Sequence, residues 1–410
     1  MDINSDSQDK KIIEELITKK IKFYKLESII NDEKRANELR LKAIEKILNK
    51  KFSHIRNYSM SPQNTRPNIE NMIGAVQVPL GIAGPLKLSG KFAKGNFFLP
   101  LATTEGALTA SINRGCSVIK RSDGANVRII KSGQTRSILF KFSDIGLIPE
   151  FIKWLKDNFS QIKQVAERKS NFLELQKIDK FIVGDTLWLK ITADSKDAMG
   201  MNMITLAARS IGDYIEKNYE GIRFISSSGN LCMDKKPSAV NLYEGRGKML
   251  VADVYIDKDT VKKYLKVSSK KIIEVNYRKN ILGSALAGSY GFNANFANII
   301  AAIFLATGQD LGHVVEGSHG FTTMEIIDKK LHVMVTLSSL QLGTVGGGTN
   351  LETQKECLEM LGVHGSGKVP GENASKFAEI VAGTVLAGEI SLVGALAAKH
   401  LIRAHLEHNR

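Results

Sequence analysis

The sequence predicts an α+β protein in which a small α+β unit interrupts a larger, glycine-punctuated one, behind a helical N-terminal segment. Three observations predict this. Apolar residues recur at helical spacing near the N-terminus, and segments in the middle alternate like strands around a helical stretch. The same small-residue, glycine-rich texture then stands on both sides of that middle unit, which marks it as an insertion.

Residues 1–72 are expected to be helical, with Ile12, Ile13, Leu16, Ile17 and Ile21 as the apolar positions, until SPQNTRPNIENMIG breaks the pattern with two prolines. Residues 73–137 open the larger unit, where VPLGIAGPLKLSG reads as turns between short strands or helix starts. The inserted unit is placed at 138–226. In it ILFKFS and LWLKIT alternate as strands, IPEFIKWLKDNF reads as a helix, and the chain after TLWLKITADSKDAMGMN continues as a second helix. Residues 227–410 return to the first texture and complete the larger unit.

Composition bounds the function. At 410 residues, with 43% apolar and 24% charged residues, the chain has ample material for a globular core. The net charge of +15 suits an anionic partner, but much of the lysine is interleaved with acids, as in KKIIEELITKKIKFYKLESII. No tight basic run with interleaved aromatics is present, so nucleic acid is not the expected partner. Three cysteines, Cys116, Cys232 and Cys357, are far apart and form no CxxC, which argues against a zinc site and a disulfide framework. The polar start MDINSDSQDKKIIEEL is no signal peptide. NIIAAIFLATG is short and EIVAGTVLAGEISLVGALAAK carries a glutamate and many small residues, so no membrane span is expected. A soluble, cytoplasmic protein is the expectation.

GNLCMDKKPSAVN places Asp234, Lys235 and Lys236 directly before Pro237, which biases the cluster toward a turn. LATTEGALTASINRGC sets Glu105 at an apparent helix start, where it is either an ordinary dipole partner or a partly buried acid able to give up a proton. Asp310 lies in a turn-prone GQD, as a cap or as a catalyst. His405 stands in HLIRAHLEHNR with His400 and His408, without a zinc signature, and a terminal imidazole suits proton transfer. GVHGSGKV matches GxxxxGK but has Val369 where magnesium needs a hydroxyl, and no strand precedes it. LGTVGGGT is a phosphate loop or a tight turn. DAMGMNM opens a helix whose N-terminus suits a pyrophosphate, with Asp197 as its expected cap.

Taken in order, ENMIGAVQVPLGIAGPL, TTEGALTASINRGC, DAMGMNM, SGNLCMDKKPSAVN, EGRGK, GFNANFANIIAAIFLATGQD, LGTVGGGT and the closing HL-x3-H-x2-HN resemble 3-hydroxy-3-methylglutaryl-CoA (HMG-CoA) reductase, class I, in a form without a membrane anchor. The resemblance runs from about Glu70 to the C-terminus. It implies a large α/β domain with a central helix and an inserted ferredoxin-like small domain for NADP. The implied reaction is a four-electron reduction of HMG-CoA to mevalonate and CoA with two NADPH, as part of isoprenoid synthesis.

Carried over motif by motif, Lys235 resembles the lysine beside the reacting carbonyl, where an ammonium stabilises the developing oxyanion. Asp234, Lys236, Ser228, Arg136, Lys279 and Asn298 match the acyl pocket. Glu105 resembles the acid of the second reduction, and Asp310 the carboxylate linked to both Glu105 and Lys235. His405 is similar to the histidine that protonates departing CoA thiolate. Asn113, Arg114 and Lys266 match CoA-binding positions. Ser170, Asn171, Phe172, Asp197, Met199, Gly200, Met201, Asn202, Met203 and Gly343 match cofactor-binding positions. No metal is implied.

Asn171 departs from the pattern, since the best-known members carry an arginine there for the 2′-phosphate of NADP. NADPH is still expected, with Arg168 or Lys169 as replacement cation; NADH is not excluded. The resemblance also implies a homodimer or dimer of dimers with sites between subunits. Rival readings are a basic nucleic-acid-binding protein and a CoA-binding acyltransferase. The first leaves Glu105, Asp310 and His405 without a purpose, and the second needs no nicotinamide.

Overall fold

A computed structural model describes residues 3–399 and contains ten strands among them. They are β1 (Leu80–Gly90), β2 (Lys94–Ala102), β3 (Ala125–Phe142), β4 (Glu174–Val183), β5 (Thr186–Asp194), β6 (Ile222–Ser226), β7 (Gly247–Ile256), β8 (Gly291–Phe292), β9 (Gly320–Ile327) and β10 (Lys330–Leu340).

The larger sheet runs β2-β1-β3-β7-β10-β9-β8. Its neighbours are antiparallel except for the β1–β3 and β8–β9 pairs. The mixed sheet and its helices bear out the α+β class. The long helix Glu372–Ala397 is buried along most of its length in the core of this unit, beside β1, β3, β7, β10 and the helix Leu108–Arg121. At Gly115 the two helices approach so closely that a Cβ would lie 1.9 Å from the carbonyl oxygen of Ala387. By length and composition this helix could cross a bilayer, but 83% of its most apolar window is buried inside the protein, so its apolar face is spent on the core. Its two interior acids are bound to the backbone. Glu379 accepts from the N–H groups of Lys91, Phe92 and Ala93, and Glu389 from those of Ala294 and Asn295 and from Thr322 Oγ1. Burial pushes the Glu389 carboxyl up, against those hydrogen bonds.

A second sheet has the order β4-β5-β3-β6, all antiparallel. With the helices Ile148–Asp157 and Phe159–Glu167 after β3, and Met201–Asn218 after β5, the chain order is the βαββαβ of a ferredoxin-like unit. It has its own core, in which Phe140, Phe151, Leu189, Ile204 and Ile211 are buried.

The two sheets share β3. Its residues 126–133 pair with β7, and its residues 134–141 pair with β5. A boundary at residue 138 therefore falls inside a continuous strand, four residues after the change of sheet. Alternation along one strand cannot show that its pairing partner changes halfway.

The N-terminal helices Ile3–Ile17 and Glu33–Leu48 pack through Ile12, Ile13, Leu16, Ala36, Leu39 and Ala43, with Ile17 and Ile21 at the edge. Helix is not continued to residue 72. Asn49, at φ 50, caps the second helix in the left-handed region, and most of the chain between it and β1 is irregular.

Candidate active site

The loop after β6 carries the DKKP cluster. Three of its residues are left-handed without being glycine: Asn230 at φ 61, Met233 at φ 47 and Lys235 at φ 56. Such conformations persist only where surrounding contacts over-determine them. Here the backbone N–H of Lys235 donates to Glu316 Oε1 at 2.8 Å, and Asn241 Nδ2 donates to the Met233 carbonyl at 3.1 Å.

The Lys235 ammonium lies 2.7 Å from Asp310 Oδ2. Asp310 begins the turn after the helix Phe296–Ala306 and accepts the Gly312 N–H at 2.9 Å, so it is both a cap and a partner of Lys235. Partial burial pushes the Asp310 carboxyl up. The Lys235 hydrogen bond, the Gly312 N–H and the charges of His313 and Lys235 outweigh this and hold it below the usual carboxylate range.

Asp234 sits between two guanidinium groups, Arg136 Nη1 at 3.5 Å and Arg246 Nη2 at 3.0 Å. Arg246 is 1% exposed and also donates to Glu316 Oε1 at 2.7 Å and Thr135 Oγ1 at 3.2 Å. Glu316 is fully buried. Burial pushes its carboxyl up, but the His313 hydrogen bond, the Arg246 charge and the Lys235 N–H bring it below its ordinary value. Asp234, His313 and Glu316 converge closely enough for a metal ion, yet Arg246 donates to Glu316, pairs in charge with Asp234 and already supplies the positive charge.

Arg246, His313 and Glu316 were missed as site residues. The signal was present in EGRGK and DLGHVVEG, where charged or titratable side chains stand among small and apolar ones, and His313 and Glu316 are spaced to share a helix face.

One cleft of about 900 Å³ is lined by Arg136, Asp234, Lys235 and Asp310, and also by Ala198–Met203 and Gly343 to Thr349. The helix Met201–Asn218 starts there with Gly200 at φ 91 and no side-chain cap, which leaves its first N–H groups facing an open region. Glycine is required at 200, since a Cβ would lie 2.3 Å from that of Ser195. Gly343 is equally constrained, because a Cβ would meet the Met199 nitrogen at 2.4 Å. Its N–H donates to Gln309 Oε1, which ties the glycine loop to the segment carrying Asp310.

Several expectations need correction. Asp197 does not cap the Met201–Asn218 helix, whose N-cap is Gly200. Its buried carboxylate accepts the N–H groups of Gly371 at 2.8 Å and Ala374 at 3.0 Å, and so caps the helix Glu372–Ala397 instead. Glu105 is exposed rather than partly buried, and it accepts from Asn298 Nδ2 at 3.1 Å. Among the described residues no hydrogen bond joins it to Asp310 or Lys235. The left-handed Ala107, at φ 66, turns the chain into the helix Leu108–Arg121 and leaves Glu105 in the turn before it.

Arg114 donates through Nε and Nη2 to Ser391 Oγ and O, both at 2.9 Å, so much of its guanidinium is spent on the core helix. Asn113 accepts the Gly84 N–H, and Lys266 is exposed. Lys279 is exposed beside Asn280 Oδ1, Lys236 lies 3.4 Å from Asn230 Oδ1, and Ser228 is exposed with its N–H on Ser226 Oγ. None of these lines the cleft.

Asn171 and Phe172 are exposed, and the Ser170 hydroxyl lies 3.2 Å from Met203 Sδ, which places this loop against the first turn of the cleft helix. His405, with His400 and His408, lies outside the described residues.

A family model described as hydroxymethylglutaryl-coenzyme A reductase matches residues 36–410. The 3-hydroxy-3-methylglutaryl-coenzyme A reductase of Pyrococcus horikoshii is 50% identical over 398 residues, covering 96% of each chain. That of Methanocaldococcus jannaschii is 51% identical over 405 residues, covering 97% of this chain and 98% of its own. Among solved structures, a class II 3-hydroxy-3-methylglutaryl-CoA reductase from Streptococcus pneumoniae bound to NADPH shares the fold, with a TM-score of 0.67 at 16% identity over 90% of this chain and 85% of that one. With a matching model over most of its length and relatives at half identity over nearly all of it, the chain belongs to the hydroxymethylglutaryl-coenzyme A reductase family of oxidoreductases.

Proposed function

We propose that the cleft holds NADPH along the helix start at Met201 and the Gly343–Thr349 loop, and the HMG thioester against Lys235. The product is mevalonate with release of CoA. One observation carries this reading: the Lys235–Asp310 pair and the uncapped helix start line the same cleft, so a cation for an oxyanion stands beside a seat for a pyrophosphate.

When bound, NADPH supplies hydride. The chain's own residues do the rest. Lys235 stabilises the negative charge that hydride addition puts on the carbonyl oxygen, in a site where Asp310 fixes the ammonium. Collapse then breaks the carbon–sulfur bond, giving the aldehyde and CoA thiolate, which His405 protonates. The second reduction takes its proton from Glu105. Arg136, Asp234, Lys236, Ser228, Lys279 and Asn298 form the acyl pocket, with cations for the free carboxylate. Asn113, Arg114 and Lys266 bind CoA. The ferredoxin-like unit is the cofactor unit, with NADPH preferred over NADH.

Glu105 is exposed and pairs with Asn298 outside the cleft lined by Lys235 and Asp310, which supports a homodimer or dimer of dimers in which a second subunit closes the site. The class I form without an anchor is proposed on the motifs that run in order from about Glu70. Three buried, free cysteines suit a reducing cytoplasm.

The test monitors nicotinamide absorbance with HMG-CoA and counts thiol released. Two NADPH consumed per thiol is the expected result. Thiol release without NADPH oxidation would favour an acyl-transfer enzyme instead. His405→Gln is expected to slow the thioester far more than free mevaldehyde, because only the thioester route delivers a proton to sulfur.

A further inference from the structure

His313 lies beneath Lys235 and is fully buried. Both ring nitrogens face carboxylates: Nδ1 is 3.4 Å from Glu316 Oε2 and 3.9 Å from Asp234 Oδ1, and Nε2 is 3.7 Å from Asp310 Oδ2. An ionised carboxylate only accepts, while a neutral imidazole has one donor and one acceptor nitrogen. Only the imidazolium turns a donor toward both sides at once. The Asp310 and Asp234 separations exceed hydrogen-bond length, so the attraction there is of charge across a buried gap.

The carboxylates that His313 faces hold Lys235 at both ends. Asp310 takes the ammonium, and Glu316 takes the backbone N–H. The second contact matters because Lys235 at φ 56 occupies a conformation that a residue with a Cβ keeps only where surrounding contacts hold it. Other charges surround the ring. Arg246 reaches Asp234 and Glu316, Arg136 reaches Asp234, and His319 lies buried within the electrostatic reach of Glu316. Among the described residues, the side-chain cations beside Asp310 are Lys235 and His313.

We propose that His313 is a positioning residue for Lys235: its buried ring stands between Asp310 and Glu316, and so fixes the ammonium partner and the backbone anchor of Lys235 relative to one another. His313 neither touches substrate nor passes a proton in the reaction. The inference rests on the reading of Lys235 as the cation at the reacting carbonyl.

The test compares kcat, the KM for HMG-CoA and the melting temperature of the parent, His313→Gln, His313→Leu and Lys235→Ala. His313→Leu offers no donor to either carboxylate, and its kcat is expected to fall on the order of tenfold or more with the KM for HMG-CoA little changed. His313→Gln, whose amide still donates, is expected to recover most of that loss. A His313→Leu enzyme with the parent's kcat, or an equal loss in His313→Gln and His313→Leu that tracks a lowered melting temperature, overturns the proposal. A parent that does not reduce HMG-CoA refutes the functional reading instead.

Discussion

Lys235 Nζ lies 2.7 Å from Asp310 Oδ2, and the two side chains reach this contact from a left-handed loop residue and from the first residue of a turn 75 positions later. Both keep roughly four-tenths of their side-chain surface exposed to the cleft, 43% for Lys235 and 39% for Asp310. A charge pair so placed contributes little to stability and is better suited to chemistry.

Lys235→Ala is therefore expected to lower kcat for HMG-CoA reduction by about a hundredfold or more, with the melting temperature and CoA binding little changed. Steady-state kinetics and calorimetric titration with CoA check this. Activity within a few-fold of the parent would remove Lys235 from the mechanism.

Glu316→Gln removes one of the two carboxylates paired with the fully buried Arg246, leaving Asp234, and should cost up to about 3 kcal/mol of unfolding free energy at neutral pH. The folded Glu316 carboxyl is held below its ordinary value, so its contribution is fully present above about pH 5 and is lost as pH falls through the lower, folded value. Urea unfolding at several pH values should show a parent–variant difference that is constant near neutrality and shrinks below about pH 4. A difference under about 1 kcal/mol at neutral pH would mean that Asp234 alone compensates Arg246.

Asp197→Ala removes the carboxylate that caps the Glu372–Ala397 helix. A loss of about 1–2 kcal/mol in stability is expected, with the KM for NADPH unchanged. If the KM for NADPH rises steeply while the unfolding midpoint stays in place, Asp197 belongs to the cofactor site after all.

Arg168 and Lys169 are exposed at the end of the helix Phe159–Glu167, three and two residues before Asn171, in a loop that leans on Met203 of the cleft helix. The parent is expected to favour NADPH over NADH, and an Arg168→Ala, Lys169→Ala double variant to lose most of that preference. The ratio of kcat/KM for the two cofactors decides it. An undiminished ratio in the double variant would show that neither side chain reads the 2′-phosphate.

The DKKP, GQD, DAMGMN and GTVGGG segments are legible from the residues, and the family resemblance adds Arg136; Arg136, Asp234, Lys235, Asp310, Met199–Met203 and Gly343 meet in one cleft. The textures also revealed an inserted α+β unit and a helical start, because apolar spacing and glycine frequency are local properties.

How those side chains are shared out was settled by packing in three dimensions. Asp197 precedes a helix by four residues, yet its carboxylate serves a helix that begins at Glu372. Arg246 is bonded to Glu316, 70 positions away, and Glu316 to the backbone of Lys235, 81 positions away. β3 passes from one sheet to the other within one continuous strand. Periodicity reports which face of an element is buried and is blind to what stands opposite. Partners for buried charges are set by packing, since an ion taken out of water is tolerable only where the fold brings a counter-charge to it.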